Sequence, residues 1–245
     1  MINLALSLAA AAATFFAFWL SGLTHPLGAI LPAVVAAGVA YFLLARRSVR
    51  QLEAVMALAQ KELASRKLDK AIAIMEGGFP LARWQFLIAS QLHGQIGSLL
   101  YVQKKFDEAE PHLKKSFVKM WPARAMLGAQ HYRRKDWKAM EETFETAIRA
   151  NKNESLLYAT FAWCEDKRGE RKKAIEILQR GVSENASDEK LKTLLQRVQN
   201  DKRMKLESYG EQWWQFWLEN PPAMSGPQGG GGFQPFGGRA RFGRR

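Results

Sequence analysis

The sequence predicts an all-α protein: a hairpin of two transmembrane helices, a stack of paired amphipathic helices, and a polar tail with no fold of its own. Three observations predict it. Residues 1–45 contain no Asp, Glu, Lys or Arg and fall into two apolar runs. Leu52, Val55, Met56 and Ala59 then open a long stretch at helical spacing, without the Val/Ile/Thr alternation of strands. Within residues 125–181 one pattern of small and large apolar side chains appears twice, and aligning Met140 with Ala174 gives an interval of 34 residues.

The first run, residues 2–20, is almost entirely Ala, Leu and Phe, interrupted only by Asn3, Ser7 and Thr14; the second covers residues 26–45. Each has about the 20 residues that a bilayer core requires. The short turn Ser21-Gly22-Leu23-Thr24-His25 between them makes an antiparallel hairpin, and a helix closes its backbone hydrogen bonds internally, so both spans tolerate hydrocarbon. Pro32 is expected near the start of the second helix, where it costs least. A cleaved signal peptide would need a basic leader, which is absent, and would leave the second run unexplained. Arg46, Arg47 and Arg50 follow directly and by the positive-inside rule hold that end in the cytoplasm.

All of the formal charge of +13 therefore sits in residues 46–245, a balance that suits an anionic membrane face, an acidic partner or a nucleic acid. Residues 46–204 read as a helical domain. Small residues recur where helices must touch (Ala59, Gly97, Gly128, Ala162), and large ones stand at the turns (Leu68, Phe106, Trp137). Ala71, Ala109, Met140 and Ala174 occupy equivalent places at intervals of 38, 31 and 34 residues. The irregular first interval holds the loop Glu76-Gly77-Gly78-Phe79-Pro80. These residues resemble the tetratricopeptide repeat family, in the form anchored to bacterial inner membranes. Four repeats are expected, at about 52–85, 90–123, 124–153 and 154–187, with Arg171 standing where the family usually has an aromatic. A charged helix from about Asp188 to Met204 would follow, capped by Ser187 or Asp188.

The resemblance implies a curved stack whose first helices line a concave face. By its register that face carries Gln91, Ser98, Tyr101, Ala125, Tyr132, Arg133, Trp163 and Lys167. Gln91, Tyr101, Tyr132, Arg133, Trp163 and Lys167 are the candidate protein-binding groove, because aromatic and Arg side chains are enriched at binding hot spots. The same aromatics would serve equally well as core between repeats. The Lys and Asn that clamp a C-terminal carboxylate in some members are missing; Met56, Gln60, Gly94 and Ser98 stand in those places.

Residues 205–222 contain Trp213-Trp214-Gln215-Phe216-Trp217-Leu218. As a helix this segment would bring Trp213, Trp214 and Trp217 onto one apolar face. Trp213, Trp214, Phe216 and Trp217 could cover the last repeat, the favoured reading, or dock at a partner or the bilayer interface. Residues 223–245 are Gly- and Pro-rich, lack acidic residues and are expected to be disordered. Arg239, Arg241, Arg244 and Arg245 resemble RNA-binding Arg-Gly segments, but beside a membrane anionic lipid is the better match.

No catalytic constellation is visible, and neither a cofactor nor a metal is expected. His25, His93, His112 and His131 lack ligand spacing, and the single Cys164 excludes an intramolecular disulfide. The expectation is a membrane-bound adaptor that recruits or assembles proteins at the cytoplasmic face of a bacterial-type inner membrane, and not an enzyme. Two alternatives are a subunit or assembly factor of a larger membrane complex, with Gly22, Gly28 and Gly38 permitting close packing on other spans, and a nucleic-acid adaptor acting through the tail.

Overall fold

The computed structural model describes residues 1–22 and 25–220. The expected disordered tail at 223–245, with Arg239, Arg241, Arg244 and Arg245, lies outside the described residues. Among those described, the chain is all-helical, and it divides into two compact units, Met1–Leu92 and His93–Arg245.

In the first unit α1 (Ile2–Leu20) packs along α2 (Pro26–Ala64), and α3 (Leu68–Glu76) packs on α2. Both α1 and α2 are long and apolar enough to cross a membrane. Their packing is inverted relative to a soluble core. Ala29, Ala33, Asn3, Ser7 and Ser48 are buried, while Leu20, Leu27, Leu31 and Phe42 are bare. Only 11% of each apolar window is buried, so neither helix is the core of anything in this chain. Polar side chains tie one end of the hairpin together. Asn3 Nδ2 donates to Ser48 Oγ at 2.9 Å and Gln85 Oε1 at 3.3 Å, and Gln85 Nε2 donates to Tyr41 Oη at 3.1 Å.

Two expectations need correction here. The second apolar helix does not end at Ala45; it continues unbroken for 39 residues to Ala64. No Gly or Pro lies in residues 46–64, and residues such as Arg47, Leu52, Ala54 and Lys61 favour helix, so the change from apolar to polar leaves the backbone unaffected. Pro26, not Pro32, takes the first turn; Pro32 lies inside the helix, where it removes one backbone hydrogen bond.

One local device then recurs through both units. Arg66, Lys104, Lys135, Gly169 and Asp201 each have a positive φ and follow a helix directly or by one residue. In each case the next amide reaches back five residues, as in Lys105 N to Leu100 O at 2.9 Å and Asp136 N to His131 O at 3.0 Å. This pairing satisfies carbonyls left open at a helix end. The first four such turns lead at once into a new helix, beginning at Leu68, Phe106, Trp137 and Arg171. These are the four turn positions expected from the sequence, at the same 38, 31 and 34 residue intervals. The long first interval holds a 3-10 turn, Phe79–Arg83.

The second unit continues α4 (Ile88–Val102) into α5 (Phe106–Lys114), α6 (Trp121–Arg133), α7 (Trp137–Ala150), α8 (Ser155–Arg168), α9 (Arg171–Glu184) and α10 (Glu189–Gln199). Asp188 caps α10, accepting from Leu191 N at 3.0 Å, but the helix stops at Gln199, short of the expected Met204. Where α6 meets α7, a Cβ on Gly128 would lie 2.5 Å from the Phe144 ring, closer than carbon atoms tolerate. Phe144 in turn stacks on Phe161 of α8 at 5.0 Å and 11°.

Several contacts repeat at 34 residues on both partners. Asn151 Nδ2 donates to Val118 O, and Asn185 Nδ2 to Lys152 O, both at 3.0 Å. Arg134 pairs with Asp107 at 2.7 Å, and Arg168 with Glu141 at 2.6 Å. Arg171, in place of an aromatic, pairs with Asp166 at 2.8 Å and donates to the Val198 and Lys202 carbonyls at the end of α10.

Two kinds of substitution test this construction by thermal and urea unfolding. Gly128→Ala is expected to destabilise by about 1–3 kcal/mol through overpacking against Phe144. At the turns the signs oppose: Lys135→Gly relieves a left-handed residue and should stabilise by about 0.5–1 kcal/mol, whereas Gly169→Ala, with no atom nearby to clash, should cost about 1 kcal/mol from backbone strain alone.

Candidate protein-binding groove

The inward helices α4, α6 and α8 of the second unit present Tyr101, Tyr132, Arg133 and Trp163 to one face. Gln91, the sixth candidate with Lys167, lies in the first turns of α4 and belongs to the first unit. The other five come together. Tyr132 sits edge-on to Trp163 at 5.6 Å, Arg133 lies over the Phe106 ring at 4.2 Å, and Lys167 is 5.4 Å from the centre of Trp163 at the exposed rim. Tyr101 is fully buried and Trp163 is 3% exposed.

What buries them is the chain's own aromatic segment. After α10 the chain runs through a 3-10 turn, Glu207–Tyr209, into the single-turn helix α11, Glu211–Trp214. Gly210, at φ 62 and ψ −140, a combination that glycine alone adopts readily, sets the direction of entry. Trp213 and Phe216 are buried, with Trp213 edge-on to Trp163 at 5.4 Å and 6.2 Å from Phe216. The Phe216 carbonyl accepts from Tyr101 Oη and from Arg133 Nη2, each at 2.8 Å. Arg133 Nη2 also donates to Trp217 O at 2.6 Å. Glu219 accepts from the indole N–H groups of Trp163 at 3.4 Å and Trp213 at 3.3 Å, and pairs with Arg203 at 3.4 Å. Lys104 stands over the Trp217 ring at 4.1 Å.

The helical reading of this segment is therefore corrected. The helix ends at Trp214, and Trp217 has φ +52, so the buried pair is Trp213 with Phe216 instead of Trp213 with Trp217. Nor is it simply a cover for the last helix. Tyr209 meets Lys190 of α10 at 5.2 Å, but the segment then crosses α8, α6 and the end of α4. Trp213 and Phe216 are buried by the chain itself, whereas Trp214 and Trp217 are half-buried.

The seat is imperfect. Arg133 Nη1, Gln215 Oε1 and Trp217 Nε1 are buried without a hydrogen-bond partner among the described residues. Each such atom costs about 1–3 kcal/mol. The left-handed backbone of Trp217 adds about 1–2 kcal/mol.

Burial pushes the Cys164 thiol well above its ordinary range, away from the reactive thiolate. Burial raises Tyr101, against the pull of Arg133. Among the described residues no three His, Cys, Asp or Glu side chains gather as metal ligands. The Asn151 and Asn185 ties were missed from sequence, although two Asn 34 residues apart after aligned helices were a readable signal. Compared with known proteins, the chain matches no protein-family model, and no curated protein matches it significantly.

Two histidines give the second unit a pH dependence. Burial lowers the His131 pKa below that of an ordinary histidine, with Lys114 and Arg134 adding to the effect and Asp136 and Glu110 opposing it. Burial, then His112 and Lys115, lower His93. A lowered pKa means that folding favours the neutral ring. Stability should be full above about pH 6.5 and fall as the pH drops through the folded values. Melting temperature measured from pH 8 to 5 should fall below about 6.5, and less steeply in His131→Gln.

Proposed function

We propose that the protein is a membrane-anchored scaffold of the tetratricopeptide-repeat kind, which holds segments of other proteins at the cytoplasmic face of a bacterial-type inner membrane. The observation that carries this reading is that the α4–α6–α8 face already grips a peptide, by two buried aromatic anchors and by Arg133 and Tyr101 on main-chain carbonyls. Aromatic anchors in desolvated pockets dominate binding energy at protein interfaces, and main-chain contacts tolerate variation in the side chains between them. The recurrence of turns and inter-helix ties at 34 residues supports the repeat assignment.

The bare apolar surface of α1 and α2 supports the anchor, because water would penalise so many exposed large side chains while lipid would not. Arg46, Arg47 and Arg50 follow that surface. At the same end of the hairpin, Asn3 N donates to Trp84 O at 3.4 Å, and Trp84 and Phe86 are exposed there. Exposed aromatics beside cations suit the headgroup layer.

Single-tryptophan chains reconstituted with brominated lipid test the depth assignment. Trp19 and Trp84 should be quenched and Trp213 should not; quenching of Trp213 alone would invert the picture. Alkaline washing should leave the chain in the membrane pellet, and release would remove the anchor. A photoreactive side chain at position 167 in living cells should give adducts with other proteins that are lost in an Arg133→Met background. Absence of adducts would count against a scaffold.

A further inference from the structure

The face that reads as a binding surface is not empty, and its occupant is poorly fitted. Trp213, Phe216 and Glu219 repeat every three residues and seat the segment: an indole against Trp163, a buried ring 6.2 Å from that of Trp213 on a residue whose main-chain carbonyl takes the Tyr101 and Arg133 donors, and a carboxylate held by Trp163 Nε1 and Arg203. The indole nitrogen of Trp217, the side-chain oxygen of Gln215 and one nitrogen of Arg133 are buried without a hydrogen-bond partner among the described residues, and the Trp217 backbone is held in the left-handed region. A tether overcomes such defects, because it supplies the segment at an effective concentration in the millimolar range. A free peptide with the same anchors and a relaxed connecting backbone has no such strain to offset.

The charges around the seat are one-sided. Lys104, Arg133, Lys167 and Arg203 surround it, and the segment answers with Glu219. Lys167 at the rim has no carboxylate within salt-bridge distance among the described residues.

We propose that residues 211–219 are a tethered stand-in for a partner's peptide: the α4–α6–α8 face takes an acidic segment of the pattern Trp-x-x-Phe-x-x-Glu, and the chain's own copy must leave before it enters. This rests on the face being a protein-binding surface and adds both the ligand chemistry and its control. The trans ligand's two rings occupy the places of Trp213 and Phe216, its backbone carbonyl takes the Tyr101 and Arg133 donors, and further acidic residues meet Lys104 and Lys167. Until it arrives the face is closed.

The test uses the full chain in lipid nanodiscs and a fluorescein-labelled peptide with the sequence of residues 209–220. In anisotropy titrations, Trp213→Ala/Phe216→Ala is expected to bind the peptide at least tenfold more tightly than the wild-type chain. Adding Arg133→Met should cancel that gain, and a peptide with alanine in the three anchor places should not bind. Equal affinity for wild type and the double variant, or a gain that survives Arg133→Met, overturns the proposal; the latter would be mere adhesion of aromatics. Should the double variant fail to fold, the wild-type chain serves alone: saturating peptide should speed amide exchange at Gln215, Phe216 and Trp217 at least tenfold, and unchanged exchange overturns the proposal. Dimers that exchange the segment between two copies would also overturn it, making the occupant a second chain. If peptide binding fails while adducts at position 167 still form, the scaffold reading survives without the stand-in; if both fail, the scaffold itself is wrong.

Discussion

A helix that must double back within two residues has few ways to do it, and this chain uses one of them repeatedly. The residue after the helix enters the left-handed region, the next amide closes on the carbonyl five residues back, and a new helix begins at once. That geometry fixes where the second helix of each pair starts and which side of it faces the first. Gly128 against Phe144 follows from it, and Arg134 with Asp107, Arg168 with Glu141 and the two asparagine ties then join one pair to the pair before it. Of the five turning residues only Gly169 is a glycine, so four carry backbone strain that the packing of the paired helices has to overcome.

Those turns are also where the sequence was most informative. Leu68, Phe106 and Trp137 stand at the turn positions that the repeat resemblance implies, Arg171 at the equivalent place where an aromatic is usual, and each is the first residue of a helix. The apolar character of residues 2–20 and 26–45 was equally plain. The length of α2 was not, because a change from apolar to charged side chains reports a change of solvent, whereas a helix ends only where backbone or capping chemistry ends it, here at Ser65 and Arg66. Periodicity also misled at the aromatic segment. It assumes that the helix persists, and Gly210 and Trp217 limit α11 to one turn, which changes the residues that share a face. Tyr101, Tyr132, Arg133, Trp163 and Lys167 were placed on one face by the register that the repeat resemblance implies; what covers them was not legible, since a long-range contact between residues 101 and 216 leaves no local pattern.

The groove and the segment on it are best understood together. Tyr101 and Arg133 spend their donors on the carbonyls of Phe216 and Trp217, so their partners are main-chain atoms that any peptide could offer. On the proposed reading, selectivity resides in the two buried rings and in Glu219 between two indoles. On that same proposed reading, these side chains serve as hydrophobic core while the segment is seated and as exposed recognition surface once it leaves. This accounts for the ambiguity between core and groove that the aromatics present in sequence.

The unbroken course of α2 has a mechanical corollary. The 19 residues from Arg46 to Ala64 extend about 28 Å beyond the apolar run without a hinge. On the proposed membrane reading, a rod of that kind converts bilayer thickness into leverage. A hairpin that leans by 10° to match a thinner hydrocarbon layer would swing the far end of α2, and α3 packed upon it, sideways by about 5 Å.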